Sequence, residues 1–224
     1  FRSDKILVTS RMFKNYFVNE FGIPEEKIDY LPQYAIAEFD CIPERPQKDT
    51  TDFVFAGNVG TAQNLYVVLK AAHSIQSGKI NDNGRKIYFH IVGEGQELDN
   101  LKKYVQDNEI DNVVFHGRKP SEEMPKYYAF ADAMMVTLTE NPLVALTLPA
   151  KVQSYMAAGK PILASANGEI ANVIRESGAG FCASANDDQG FVNIVKLFLN
   201  SDDRNDLGKK AKQYYDNNFS REKV

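Results

Sequence analysis

Short, unbroken apolar runs alternate with segments of helical period almost from end to end of the chain. Ile6-Leu7-Val8 and Ile28-Asp29-Tyr30-Leu31 are strand-length runs on either side of a helical period near Arg11–Phe21, which Gly22 and Pro24 close. Residues 41–52 are polar, contain Pro43 and Pro46, and read as a linker. A regular pattern follows. Strands are predicted at Phe53–Gly57, Ile87–Gly93, Val113–Gly117, Ala133–Leu138, Pro161–Ser165 and Phe181–Ala183. Helices are predicted near Leu65–Gln76, Glu97–Gln106, Glu122–Phe130, Pro149–Ala158, Glu169–Ser177, Phe191–Leu199 and Asp203–Tyr215. The strands are continuously apolar rather than alternating, which marks a sheet buried on both faces. Strand–helix repetition with short loops then implies an α/β fold, a Rossmann-like doubly wound parallel sheet. The division expected is a leading segment and linker over 1–48 and a main domain over 49–224. Ligands of such sheets sit beyond the carboxyl ends of the strands.

Composition narrows the partners. The 224 residues carry 26 Lys and Arg against 30 Asp and Glu, a net charge of −4, so a general nucleic-acid surface is not expected. Cys41 and Cys182 are the only cysteines, with no CxxC, which fits a reducing, cytoplasmic setting and speaks against zinc. No apolar run reaches the roughly 18 residues of a spanning helix. The chain opens on Phe1-Arg2-Ser3 without an initiating Met and ends within a polar pattern, so it is expected to be part of a longer protein.

Three predicted strands run into glycine: Gly57-Asn58, Gly93-Glu94-Gly95 and Gly117-Arg118. Glycine admits positive φ and lets backbone amides approach an anion. Each turn alone is equally a tight βα connection; three on one rim point to a nucleotide or phosphate. The GxGxxG fingerprint is absent, and Glu94 sits where a dinucleotide would need amides. In Thr147-Leu148-Pro149-Ala150-Lys151, Pro149 suits the first helical position and Thr147 a cap. Lys151 falls in the first turn, where a cation opposes the helix dipole by about 0.3–1 kcal/mol and an anion would reverse the sign. Residues 147, 151, 154 and 158 share one face, whereas Val152, Tyr155 and Met156 look like core. The alternative is a solvated lysine; the reading adopted is a diphosphate contact. His73, His90 and His116 have no Cys, His or carboxylate at ligand spacing and read as packing residues. Asp132, flanked by alanines, makes no DxD, and Lys102-Lys103 and Lys209–Lys212 read as solvated helix faces.

The succession Phe53–Gly60, Ile91–Leu98, Val114–Gly117, Ala131–Ala133 and Tyr155–Ser165 resembles the C-terminal half of the family 4 retaining glycosyltransferases. Ile6–Ser10 and Phe21–Pro32 look like that family's interdomain region. The resemblance implies GT-B architecture, two Rossmann-like domains facing across a cleft, with the donor held mainly by the C-terminal one. It places Gly57 and Asn58 at the donor diphosphate, with Gly93 and Gly117 on the same rim, and Arg118 at the nucleobase. The family's pair of glutamates falls on Leu146 and Ser154, so both are missing; Glu140 is the candidate substitute for the first, and Ser154 or Gln153 for the ribose contact. Asn167-Gly168-Glu169 resembles a donor-side loop, with Glu169 reading equally as an acid that simply sits at a helix N-terminus. The form Leu146–Lys151 followed by Tyr155–Pro161 looks like a subgroup that builds bacterial surface polysaccharides, often from UDP-linked aminosugars. Together these imply donor-site residues Gly57, Asn58, Gly93, Gly117, Arg118, Glu140, Thr147, Leu148, Pro149, Lys151, Ser154 and Glu169. Lys151 and Arg118 would neutralise the departing UDP, with no cofactor or essential metal. The expected function is transfer of a sugar, from a UDP-sugar, to a glycan or lipid-linked acceptor bound through an N-terminal domain, with peripheral contact at the inner face of the membrane. Residues 1–224 alone are expected to transfer nothing. The alternatives are a UDP-sugar epimerase of GT-B fold and a non-catalytic nucleotide-binding Rossmann domain.

Overall fold

The computed structural model describes residues 3–39 and 42–223. Phe1, Arg2, Asp40, Cys41 and Val224, and with them the expected start of the linker, lie outside the described residues.

A two-stranded parallel sheet comes first: β1 (Ile6–Val8) and β2 (Ile28–Tyr30), joined by α1 (Arg11–Phe21). Its buried core is only Val8, Ile23 and Ile28. Two strands are marginal on their own, and this unit is fastened to the rest of the molecule. The Ser10 hydroxyl donates to the Leu146 carbonyl, Phe39 stacks on Tyr128 at 4.7 Å, and the Ala35 N–H donates to the Tyr215 hydroxyl at 3.1 Å.

The main sheet has six parallel strands: β3 (Thr50–Ala56), β4 (Lys86–Val92), β5 (Val113–Gly117), β6 (Ala133–Thr137), β7 (Ile162–Ser165) and β8 (Gly180–Ala183). Their spatial order is β5-β4-β3-β6-β7-β8. The order reverses between β3 and β6, and that switch point is where a doubly wound sheet opens a crevice. The expected fold is therefore the observed one. Alternate residues of β3 feed two cores: Phe53 and Phe55 pack towards α2 (Tyr66–Ser77), α3 (Leu98–Asp107) and α8 (Asp188–Leu199). Val54 and Ala56 pack towards α4 (Met124–Phe130), α6 (Ala150–Ala157), α7 (Glu169–Ser177) and α9 (Arg204–Asn218). Phe53 is fully buried between Phe89 and Phe198, with ring centroids 5.3 and 5.6 Å away. Burying a side chain of that size stabilises by about 1.5–3 kcal/mol.

Three local expectations need correction. β3 begins at Thr50, inside the predicted linker, because its polar first residues are paired internally: Thr51 donates to Asp82, and Thr50 to Asp52. An unexpected short helix, α5 (Pro142–Ala145), precedes α6; the Asn141 side chain caps it by accepting from Leu143 and Val144 N–H at 2.9 and 3.1 Å. In consequence the Thr147 hydroxyl donates back to Val144 O at 2.7 Å and caps nothing, while Pro149, extended at ψ 138°, is itself the N-cap of α6. Among the described residues no helix is long and apolar enough to cross a membrane.

Candidate functional site

The carboxyl ends of β3, β4 and β5 form one rim, and their glycine turns are stitched together. Gly57 N–H donates to Val92 O at 2.9 Å, Gly93 N–H to Gly117 O at 2.9 Å, and Val59 N–H to Glu94 O at 2.8 Å. A Cβ on Gly93 would collide with the Gly57 carbonyl, so glycine is required there by packing. This corrects the expectation that the rim offers open amides: those of Gly57 and Gly93 are spent within it.

Between these turns and the start of α4 lies a cleft of about 320 Å³. Gly57, Asn58, Gly93, Glu94, Arg118 and Lys119 line it, together with the apolar Val92 and Met124. Gly117 pairs with Val92 and leads directly into Arg118. Four of the expected residues therefore line one cleft, and Gly117 adjoins it. Lys119 and Met124 were missed; the rule that sites lie just past strand ends extends to Lys119, but nothing local marks Met124.

Lys151 approaches from the other side of the switch point, in the first turn of α6. Its ammonium lies 3.9 Å from the centroid of the Phe55 ring. It would be 2.7 Å from a Cβ placed on Gly57. Phe55 and Gly57 point to the same side of β3 by strand alternation, so the lysine fills the place of the missing Gly57 side chain. Among the described residues no hydrogen-bond acceptor or carboxylate partners it. Burial pushes its pKa down to about 7. Lys151 does not itself line the cleft but adjoins it through Gly57, and a half-buried cation with no counter-ion among the described residues is poised to take an anion.

The remaining expected residues are placed elsewhere. Glu140 is exposed in the loop after β6. Leu148 is core, and Thr147 and Pro149 shape the approach to α6. The Ser154 hydroxyl donates to Ala150 O at 3.1 Å within its own helix. Gln153 is 1% exposed, and neither of its amide atoms finds a hydrogen-bond partner among the described residues. Glu169, also 1% exposed, accepts from Arg11 Nε at 2.8 Å, and Arg11 reaches Glu176 as well at 2.9 Å. Arg11 thus clamps α1 onto α7, and Glu169 is not among the residues that line the cleft.

The histidine reading also changes. His90 and His116 do find partners, supplied by strand pairing and not by sequence spacing: His90 contacts both Asp52 and His116. Asp132 is taken by Arg45, Lys48 and the Asp52 N–H. A larger cleft of about 420 Å³ lies at the amino ends of the strands; there Arg204 grips Asp82 at 2.6 and 2.7 Å, Arg45 pairs with Asp132, and Lys160 donates to the Ala129 and Ala131 carbonyls.

Comparison with known proteins identifies the family. A family model described as glycosyl transferases group 1 matches residues 39–214. The chain is 32% identical over 161 residues to a probable glycosyltransferase, WbjE, of Pseudomonas aeruginosa, covering 71% of this chain and 38% of that protein. It is 23% identical over 241 residues to the lipopolysaccharide 1,2-N-acetylglucosaminetransferase of Salmonella typhimurium, covering 98% of this chain and 59% of that protein. The chain thus spans 38% and 59% of the length of these two curated relatives. Among solved structures, a glycosyltransferase from Rickettsia africae superimposes with a TM-score of 0.80 at 14% identity, over 97% of this chain and 59% of that one. Anabaena Alr3699/HepE, solved in complex with UDP-glucose, gives 0.79 at 13% identity over 97% and 60%. At such identities the likeness establishes the fold, that of GT-B glycosyltransferases.

Proposed function

Because the chain belongs to the group 1 glycosyl transferases, we propose that its six-stranded sheet is the donor-holding half of a retaining enzyme that moves a sugar from a nucleoside diphosphate to a glycan hydroxyl. The observation that carries this reading is the unpartnered ammonium of Lys151 beside Gly57, at the edge of a cleft built from three strand ends. A pyrophosphate laid across Gly57 and Asn58 meets Lys151 at one end of the rim and Arg118 at the other. Breaking the bond between the anomeric carbon and the phosphate oxygen leaves negative charge on that oxygen. These two cations, one within the cleft and one adjoining it, stabilise it without a metal ion. One relative is named as a lipopolysaccharide 1,2-N-acetylglucosaminetransferase, and Alr3699/HepE was solved with UDP-glucose; these favour a UDP-sugar donor and a surface-polysaccharide acceptor, handled on the cytoplasmic side of the membrane.

Isothermal titration of the 224-residue chain with UDP-glucose, UDP-GlcNAc, GDP-mannose, NAD and ATP tests the assignment. Selective heat from uridine ligands supports it. A response to NAD alone would replace it with a dinucleotide-binding domain.

A further inference from the structure

Three side chains on three adjacent strands form a hydrogen-bonded line that the cleft does not use. His90 Nε2 lies 2.8 Å from Asp52 Oδ1, and His90 Nδ1 lies 2.9 Å from His116 Nε2. The line starts near the beginning of β3 and ends one residue before the Gly117-Arg118-Lys119 turn that walls the cleft. α4 covers it: Phe130 meets His90 edge-on at 5.0 Å, and Tyr127 meets His116 at 5.1 Å. Met124, the first residue of the same helix, lines the cleft.

The chemistry of the groups fixes where the hydrogens sit. Lys48 and Thr50 hold Oδ2 of Asp52. Burial alone would raise this carboxyl, but hydrogen bonds from His90, Lys48 and Thr50 outweigh it and hold the pKa at about 2. Asp52 is therefore an acceptor, and His90 Nε2 carries the hydrogen. In a neutral ring Nδ1 then accepts, so His116 Nε2 donates and its Nδ1 keeps a lone pair. One extra proton fits. It enters at His116 Nδ1, the Nε2 proton passes to His90 Nδ1, and the shared bond reverses. Two extra protons do not fit, because two N–H groups would face each other across 2.9 Å. The charged and titratable groups facing the pair are Asp52 and Lys48 on the β3 side, Lys119 beyond β5, Tyr127 from α4, Tyr88 on β4, and Asp132 through Lys48. Burial, then His90 and Lys119, push His116 below the usual imidazole value.

We propose that Asp52, His90 and His116 are a positioning relay that holds the Gly117–Lys119 wall in its nucleotide-accepting shape while the imidazole pair carries no more than one added proton. The role at the cleft rests on the nucleotide reading above; the proton arrangement does not. Long-range nitrogen–proton NMR on the 15N-labelled chain reads the tautomers directly, and titration with UDP-glucose between pH 5 and 8 reads the consequence. At pH 7.5 His90 and His116 should both be the Nε2–H tautomer, and acidification should add one proton to the pair before the contact breaks. UDP-glucose affinity should then fall at the acid end as the second proton enters. His116→Gln, altering the half-exposed end of the line, should bind about 3- to 10-fold more weakly near pH 7 and lack that acid limb. Asp52→Asn, with the ring contact kept, should release the His90 tautomer and serves if the first variant fails to fold. Rings that titrate independently, or a His116→Gln protein with unchanged affinity and the same acid limb, overturn the relay. If UDP-glucose binds the unaltered chain at no pH, the nucleotide reading fails, while the tautomers still decide the proton arrangement.

Discussion

Lys151 occupies the space of a side chain that Gly57 does not have. Its ammonium rests 3.9 Å from the centre of the Phe55 ring, two residues earlier on the same side of β3. The contact is favourable by about 0.5–2 kcal/mol as a cation–π pair, too little to replace the hydration that burial removes. The lysine is held in place yet left wanting an anion.

Removing the ammonium should therefore show in binding and not in folding. Lys151→Ala is expected to weaken UDP-glucose binding by about 1–3 kcal/mol, the loss of one charge-assisted contact. Calorimetric Kd values for both proteins, with melting curves as control, check this; an unchanged Kd means the lysine plays no part.

The same group sets a pH dependence. With burial holding Lys151 at about 7 in the free protein, the charged form that attracts a diphosphate is nearly complete at pH 6 and scarce at pH 8. Affinity for UDP-glucose, whose diphosphate has no titrating terminal phosphate, should fall about tenfold across that interval as pH rises. Lys151→Arg, always charged, should flatten the curve. A wild-type profile that is flat from pH 6 to 8 contradicts the assignment.

The rim predicts its own mutational sensitivity. Gly93 has φ of 149° and sits against the Gly57 carbonyl. Gly93→Ala combines a disfavoured backbone with a steric clash and should destabilise by about 2–4 kcal/mol in urea unfolding. Gly117→Ala, with open space around its Cβ position, pays only for its positive φ and should cost less.

Arg11 anchors α1 to the buried Glu169. Arg11→Ala leaves that carboxylate without its partner and should destabilise by about 1–3 kcal/mol, below the figure for a fully buried pair because Arg11 is partly solvated. Glu169→Gln, which keeps a hydrogen-bonding amide, should cost less. Thermal unfolding of the two variants gives the order; equal melting temperatures to the parent would show that the clamp is idle.

Much of the fold was legible because its strands are buried on both faces and so stand out as apolar runs. Helices α1 and α7 end where the sequence reading put them, since Gly22 and Gly178 both adopt φ of 61° and stop them. α5 was missed because four residues are too few to show a period, although Asn141-Pro142 is a start signal. The site was legible only in outline. Strand ends pointed to Gly57, Gly93 and Arg118, but the spent amides, the reach of Lys151 to Phe55, and the pairing of His90 with Asp52 and His116 all depend on neighbours far apart in sequence. Glu169 shows the same limit: an acid at a helix start reads equally as a ligand contact or a local cap, and its pairing with Arg11 comes from another element.

The stitched turns have one more consequence. Since the turn after β3 hands its amides to the one after β4, and that one to the turn after β5, none can lengthen or shorten alone without unthreading its neighbours. Drift in what the cleft accepts is thereby confined to the exposed groups mounted on a fixed frame, Asn58, Glu94 and Arg118. Selectivity can be retuned there by point exchange, while any insertion at the rim dismantles the frame itself.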